Sequence, residues 1–233
     1  MFHRIRMDIT YIHHSSFLVE CERCLLLFDY FEGELPSLNK EKPLYVFASH
    51  HHGDHFSPVI FSIVHPQITY ILSSDIYRTR VPESLLENCH FISPHETLVF
   101  DEVEVATVKS TDEGVAFILK VETKVLYFAA DLNDWYWKGE SKSWNEQMGK
   151  KYLEEIKRLP STLDIAFVPV DPRLEEYYSL GVQELLQHCT VSTLFPMHFW
   201  GDFSVCKKLE QELETGTTSC MLIEHTHQTW RLV

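Results

Sequence analysis

Residues 44–55, Leu-Tyr-Val-Phe-Ala-Ser-His-His-His-Gly-Asp-His, run from a five-residue apolar stretch straight into four of the chain's 14 histidines. The apolar part, Leu44–Ala48, is short, continuous and rich in strand-favouring side chains, so it predicts a buried β-strand. The polar part offers imidazoles at His50, His52 and His55 and a carboxylate at Asp54. A divalent cation needs several such groups converging at about 2.0–2.2 Å, and a tight loop containing glycine can aim alternate side chains at one point. An affinity tag would be an uninterrupted terminal tract; this cluster is internal, patterned and anchored on a strand.

On either side the pattern is of strands, then helices. Met7–Ile12, Ser16–Glu20 and Cys24–Asp29 predict an antiparallel meander. After a short helical stretch from Pro58, strands are expected at Gln67–Leu72, Thr97–Phe100, Val103–Val108, Val115–Val121 and Val125–Ala130, with turns at Asp101-Glu102 and Glu113-Gly114. From Ser143 the period becomes helical, with Met148, Tyr152, Leu153, Ile156 and Leu159 on one face and Pro160 as the stop. Strand Ile165–Pro169, helix Val182–His188, strand Val191–Pro196, helix Val205–Glu214 and strand Cys220–Ile223 follow. Two halves, each β-rich and each ending in α/β character, predict two packed sheets with helices outside, an α/β (α+β) single domain over residues 1–233.

The 233 residues carry 20 Lys plus Arg against 34 Asp plus Glu, a net charge of −14. That balance repels phosphate backbones, and no basic block offsets it, so a small-molecule substrate is expected rather than nucleic acid. With 45% hydrophobic residues the chain has material for a core and is not of disordered composition. No apolar run is long enough to span a bilayer and the opening 17 residues contain no signal-like apolar segment, so a cytoplasmic protein without membrane contact is expected. Cysteines 21, 24, 89, 189, 206 and 220 lack framework spacing and are read as reduced, with Cys21-Glu-Arg-Cys24 as a hairpin turn between strands. The sequence leaves the oligomeric state open.

His50-x-His52-x-Asp54-His55 after a strand resembles the H-x-H-x-D-H signature of the metallo-β-lactamase fold hydrolases at every defined position. Thr10-Tyr11-Ile12-His13-His14-Ser15-Ser16-Phe17-Leu18 looks like the opening strand and "GHS-F-L" turn of the branch that includes the ascorbate-phosphate lactonase, with His13 in place of glycine. Tyr127-Phe128-Ala129-Ala130-Asp131 resembles the strand that delivers the family's bridging aspartate, with Ala130 in place of glycine. Phe195-Pro196-Met197-His198 resembles the strand end that supplies the last histidine.

The resemblance implies an αβ/βα four-layer sandwich with a metal site at the sheet edges. It implies one or two divalent ions, zinc before manganese or iron, with His50 and His52 on one ion, Asp54, His55 and His198 on the other, and Asp131 between them. Histidine rather than glutamate at position 52 sets the chain apart from the di-iron, flavodoxin-linked branch. The implied activity is hydrolysis of an ester, lactone, amide or phosphodiester by a metal-bound hydroxide, with Asp54 orienting the water. The competing reading is a metal-binding protein of the same fold without turnover.

His14 is either a neighbour of the metals or a packing residue. The family's further histidine between two middle strands is missing: the loop reads Lys109-Ser110-Thr111-Asp112-Glu113-Gly114, and His95 precedes a strand rather than following one. Ser110, Thr111 or Asp112 can place an oxygen in the vacancy, directly or through water; unless Asp112 reaches in, the ion on His50 and His52 is expected to bind weakly, and Ser110→His to restore it. Trp135, Tyr136, Trp137 and Trp144 either wall a pocket or form a hydrophobic lid. Asp171-Pro172-Arg173 follows a strand end, where Arg173 either clamps a carboxylate or phosphate or makes a surface salt bridge. His225 and His227 alternate as if sharing a strand face.

Overall fold

Burial along the first strand has period two: Ile9 and Tyr11 are buried, while Asp8 and Thr10 between them are half-buried. The computed structural model describes residues 6–213 and 216–233. The first half contributes β1 (Met7–His13), β2 (Ser16–Glu20), β3 (Leu25–Phe28), β4 (Leu44–Ala48), β5 (Ile68–Ser73) and β6 (Cys89–Ile92). Then come β7 (Thr97–Val99), β8 (Val103–Lys109), β9 (Val115–Val121), β10 (Lys124–Phe128), α1 (Lys142–Ile156), β11 (Thr162–Pro169), α2 (Leu180–His188), β12 (Thr190–Met197), α3 (Phe203–Leu213), β13 (Ser219–Cys220) and β14 (Thr229–Leu232).

These strands form two seven-stranded mixed sheets, ordered β14-β1-β2-β3-β4-β5-β6 and β13-β12-β11-β10-β9-β8-β7. In each sheet an antiparallel meander passes into a parallel set, β3 to β6 in one and β10 to β13 in the other. β4 is buried at all five positions because it lies between parallel neighbours and is covered on both faces. The sandwich predicted from the pattern of strands and helices is the observed architecture. Among the described residues no helix is long and apolar enough to cross a membrane.

Several boundaries differ from those expected. The helical stretch at Pro58 is a single 3-10 turn, so short turns cover the outer face of the first sheet in place of α-helices. β10 stops at Phe128 because Ala130 turns into the left-handed region, φ 46°. β13 is only two residues long, and Glu214 of the expected last helix lies outside the described residues. Strands β6 and β14 were not anticipated: both are half-buried edge strands that lack a continuous apolar run. Residues 225–227 form a bend and turn rather than a strand, so His225 and His227 share no strand face; His225 Nδ1 donates to the Thr226 carbonyl. The hairpin reading of Cys21 and Cys24 holds, with Cys21 N donating to the Cys24 carbonyl at 2.9 Å and both thiols free and buried.

Between the sheets lies a floor of phenylalanines near the strand ends that face the histidine loop. Phe28 stacks on Phe47 and Phe128 with centroids 4.8 and 4.6 Å apart, and Phe167 packs on Phe17 and Phe195 at 4.8 and 5.2 Å. Each such pair contributes about 0.5–1.5 kcal/mol beyond its burial. These rings come within a few residues of Asp29, His50, Asp131 and His198 in the chain, so the floor fixes where those side chains begin.

The sheets meet above this floor at Gly114, φ 68°, where an added Cβ would lie 2.1 Å from the Ser49 carbonyl oxygen and 2.6 Å from His50 Cβ. Both contacts involve rigid groups, so Gly114→Ala is expected to cost at least about 2 kcal/mol in chemical denaturation, from backbone strain and overpacking together.

Candidate metal centre

Every side chain of the centre leaves a strand end or the turn beside one. His14 sits in the β1–β2 turn, His50 to His55 in the loop after β4, Asp112 after β8, Asp131 after β10 and His198 after β12. Backbone bonds from the amides of His55 and Phe56 to the His52 carbonyl wind the histidine loop into a turn. That turn brings the rings of His50 and His55 to 4.2 Å and those of His50 and His52 to 4.6 Å. His51 faces away, its backbone amide and Nδ1 both bonded to Asp75 at 2.9 and 2.8 Å.

Two groups of four side chains result, each with ligand atoms within 4.8 Å of one another: His14, Asp54, His55 and His198 in one, His50, His52, Asp112 and Asp131 in the other. Asp131 lies between them, with Oδ1 at 3.1 Å from His55 Nε2 and 3.3 Å from His198 Nε2, and Oδ2 at 3.6 Å from His50 Nε2. The imidazoles and carboxylates named from the sequence are therefore brought together, with two changes of part. His14 stands inside the first group, its Nε2 3.5 Å from Asp54 Oδ2. Asp112 reaches into the second group, its Oδ2 3.4 Å from His52 Nδ1, which is the condition the sequence set for a fourth ligand beside His50 and His52.

Loop 109–114 presents Asp112 because its other polar residues are used locally. Ser110 Oγ accepts from the Asp112 amide at 3.1 Å, and Thr111 Oγ1 accepts from the Asn133 amide at 3.0 Å while donating to the Asn133 carbonyl at 2.7 Å. His95 is elsewhere, bonded to Glu155 at 2.8 Å.

Three imidazoles are aimed by hydrogen bonds at Nδ1. His55 donates to Asp29 Oδ2 at 2.7 Å and His198 to Asp171 Oδ2 at 3.0 Å. Ser49 Oγ donates to Asp29 at 2.6 Å and so accepts from His50 Nδ1 at 3.0 Å. With Nδ1 so occupied, each Nε2 is the atom that faces the centre, where an ion would take it up as a ligand. Sequence reasoning missed Asp29 and Ser49. The one signal for Asp29 was an acid placed directly after the apolar run Leu25–Phe28.

The fit to cations is visible in what is left unpaired. Both ring nitrogens of His14, Nε2 of His50 and His55, and Oδ1 of Asp131 are buried without a hydrogen-bond partner. Each such atom costs about 1–3 kcal/mol when unsatisfied, and imidazole nitrogens beside a carboxylate oxygen are donor types that divalent ions take. Burial, with the nearby His55 charge, pushes the His50 imidazole down to about 3, and burial pushes His14 down to about 4, so both are neutral near pH 7. Burial opposes ionisation of Asp131, but His55 and His198 outweigh it and hold the carboxyl well below its usual range. At Asp54 burial is likewise outweighed by His14 and His55, and the carboxyl lies below its usual range.

Non-glycine residues in the left-handed region cluster here: His14 (φ 50°), Asp29 (42°), Ala130 (46°), His198 (61°) and Trp200 (51°). Such backbone costs about 1–2 kcal/mol per residue and persists where surrounding packing over-determines it. Above the centre opens a cleft of about 280 Å³, onto which His52, Asp54, Asp112 and Asp131 face. Trp135, Trp137 and Trp144 line it as one of the two readings expected, whereas Tyr136 turns aside onto Tyr177, 3.9 Å between centroids. Arg173 pairs with the buried Asp171 and lines the cleft.

Asp29→Asn removes the ionised acceptor shared by Ser49 and His55. Metal affinity is expected to fall about 10–100-fold, read by competition with a chelator, while circular dichroism shows the fold retained.

Residues 8–198 match the family model described as Beta-lactamase superfamily domain. A metal-dependent hydrolase of Alkaliphilus metalliredigens is 28% identical over 142 residues, 54% of this chain and 63% of that relative, so the match spans less than two thirds of the relative's length. Among solved structures, a metallo hydrolase from the archaeon Ignicoccus hospitalis has a TM-score of 0.67 at 16% identity, over 98% of this chain and 99% of that one. CmlA, a diiron beta-hydroxylase from Streptomyces venezuelae, has a TM-score of 0.62 at 12% identity, over 100% of this chain and 55% of that one. These two likenesses show the fold. The matched segment opens in the strand before His14 and closes on His198, enclosing all eight side chains of the two groups, and the chain belongs to the beta-lactamase superfamily.

Proposed function

We propose that this chain is a metal-dependent hydrolase acting on an ester, lactone, amide or phosphodiester bond of a small molecule. The observation that carries the reading is the pair of four-residue groups joined by Asp131 at the base of an open cleft. His14, Asp54, His55 and His198 would hold one ion, and His50, His52, Asp112 and Asp131 the other, with Asp131 offering an oxygen to each side. Bound divalent ions lower the pKa of water toward about 7 and polarise the oxygen under attack. Zinc suits the first, imidazole-rich group; the second, with two carboxylates, is harder and also suits manganese or iron.

The chain's own residues divide the remaining work. Asp54 borders the cleft and is only partly buried, so its carboxylate can orient an attacking water and accept its proton. Asp29 and Asp171 hold the rings of His55 and His198 against rotation, which keeps the ligand set in register. Asp112 and His52 form the exposed edge of the centre, where a reacting group enters. The tryptophan wall reduces the water around the substrate and strengthens each electrostatic contact.

Elemental analysis followed by a panel of esters, lactones and phosphodiesters tests the reading: bound metal with no turnover on any class would favour a metal-binding protein without catalysis. Asp54→Asn is expected to lower turnover by about 10²- to 10⁴-fold with a smaller loss of metal, measured on one working substrate. His52→Ala is expected to lose metal while thermal unfolding changes little, because the ligand loop lies outside the phenylalanine core.

A further inference from the structure

Four of the chain's five tryptophans, Trp135, Trp137, Trp144 and Trp200, border the one cleft above the metal centre. They come from three separate segments: the loop after Asp131, helix α1 and the turn after His198. Trp135 and Trp137 lie with planes 8° apart, and Trp200 packs on His14 with centroids 4.2 Å apart. A wall of indoles selects a flat, electron-poor or aromatic partner over a hydrated polar one.

Among the described residues Arg173 is the only Lys or Arg bordering this cleft, in a chain whose net charge is −14. Its guanidinium lies 5.1 Å from the Trp200 ring centroid and 5.7 Å from that of Trp137, so it spans the two sides of the wall. From behind, the buried Asp171 carboxylate accepts from its Nε and Nη2, and Asp171 is itself tied to His198. The side chain is thereby pinned by one edge, and the edge carrying Nη1, which has no bond to Asp171, is left to a ligand on the half-exposed side. A free guanidinium edge matches the two oxygens of a carboxylate. Surface salt bridging alone does not account for its place between two indoles beside the metal ligands.

We propose that the cleft selects small aromatic substrates bearing a carboxylate, the ring lying against the tryptophan wall and the carboxylate on Arg173. The inference rests on the hydrolytic reading above and names its substrate class.

The test compares 4-acetoxybenzoate with its neutral methyl ester on the metal-loaded protein. Wild type is expected to prefer the anion by at least about tenfold in kcat/KM, through KM. In Arg173→Gln that preference ratio is expected to fall close to one, with Arg173→Lys between, because a point charge lacks the fork. Reading the ratio within each variant, with metal content measured alongside, separates loss of recognition from any loosening of Asp171 and His198. An equal or reversed preference in wild type, or a ratio unchanged in Arg173→Gln, overturns the inference and leaves hydrolysis standing. If neither ester is cleaved, quenching of tryptophan fluorescence by the same pair decides. An Arg173-dependent preference in binding then keeps the inference, with the hydrolytic reading left to the wider substrate panel, and its absence overturns the inference.

Discussion

The Asp29 carboxylate is the interaction on which the rest of the centre depends. It accepts from the backbone amide and hydroxyl of Ser49 at 2.8 and 2.6 Å and from His55 Nδ1 at 2.7 Å, all fully buried. Burial holds this carboxyl above its usual range, and the His55 and Ser49 contacts offset only part of that shift. An ionised carboxylate at such depth is tolerable only while its donors are in place, so the end of β3, the end of β4 and two imidazoles must adopt one arrangement together. The Ser49 carbonyl continues the chain of bonds, accepting from Val115 at 3.0 Å and so tying the first sheet to the second directly over the metal centre.

How much of this was legible in the sequence depended on whether a feature was local. His50, His52, Asp54 and His55 could be named because they form one local cluster after an apolar run, and Asp131 and His198 because the segments that end on them resemble the family's strand ends. Asp112 could be listed as one of three candidates, yet its choice over Ser110 and Thr111 rests on hydrogen bonds to Asn133 and within the loop that only the folded chain makes. His14 acquires its place from a contact across sheets, its carbonyl accepting from the His198 amide at 3.3 Å. Asp29 carries no motif at all. The edge strand β14 escaped notice because half its residues are exposed and Arg231 pairs with Asp8 across the strands instead of entering the core. His225 and His227 misled for the converse reason, since alternation of polar residues occurs in turns as readily as in strands.

Stability and chemistry pull in opposite directions at the strand ends. Five left-handed non-glycine residues and five unpaired buried polar atoms surround the centre. Beneath them, the fully buried rings of Phe28, Phe47, Phe128, Phe167 and Phe195 stack on one another between the sheets. A rigid aromatic layer lets the strained layer above keep a single geometry, which a ligand set requires and a looser core would not hold.

The eight side chains of the two groups are divided between the sheets. His14, His50, His52, Asp54 and His55 come from the first, and Asp112, Asp131 and His198 from the second. Each group draws on both. An ion held in either would thus act as a rivet through the sandwich, closing loops of more than a hundred residues in the case of His14 and His198. Its grip would be felt less in the equilibrium fold, which the aromatic floor already secures, than in the rate at which the two sheets part.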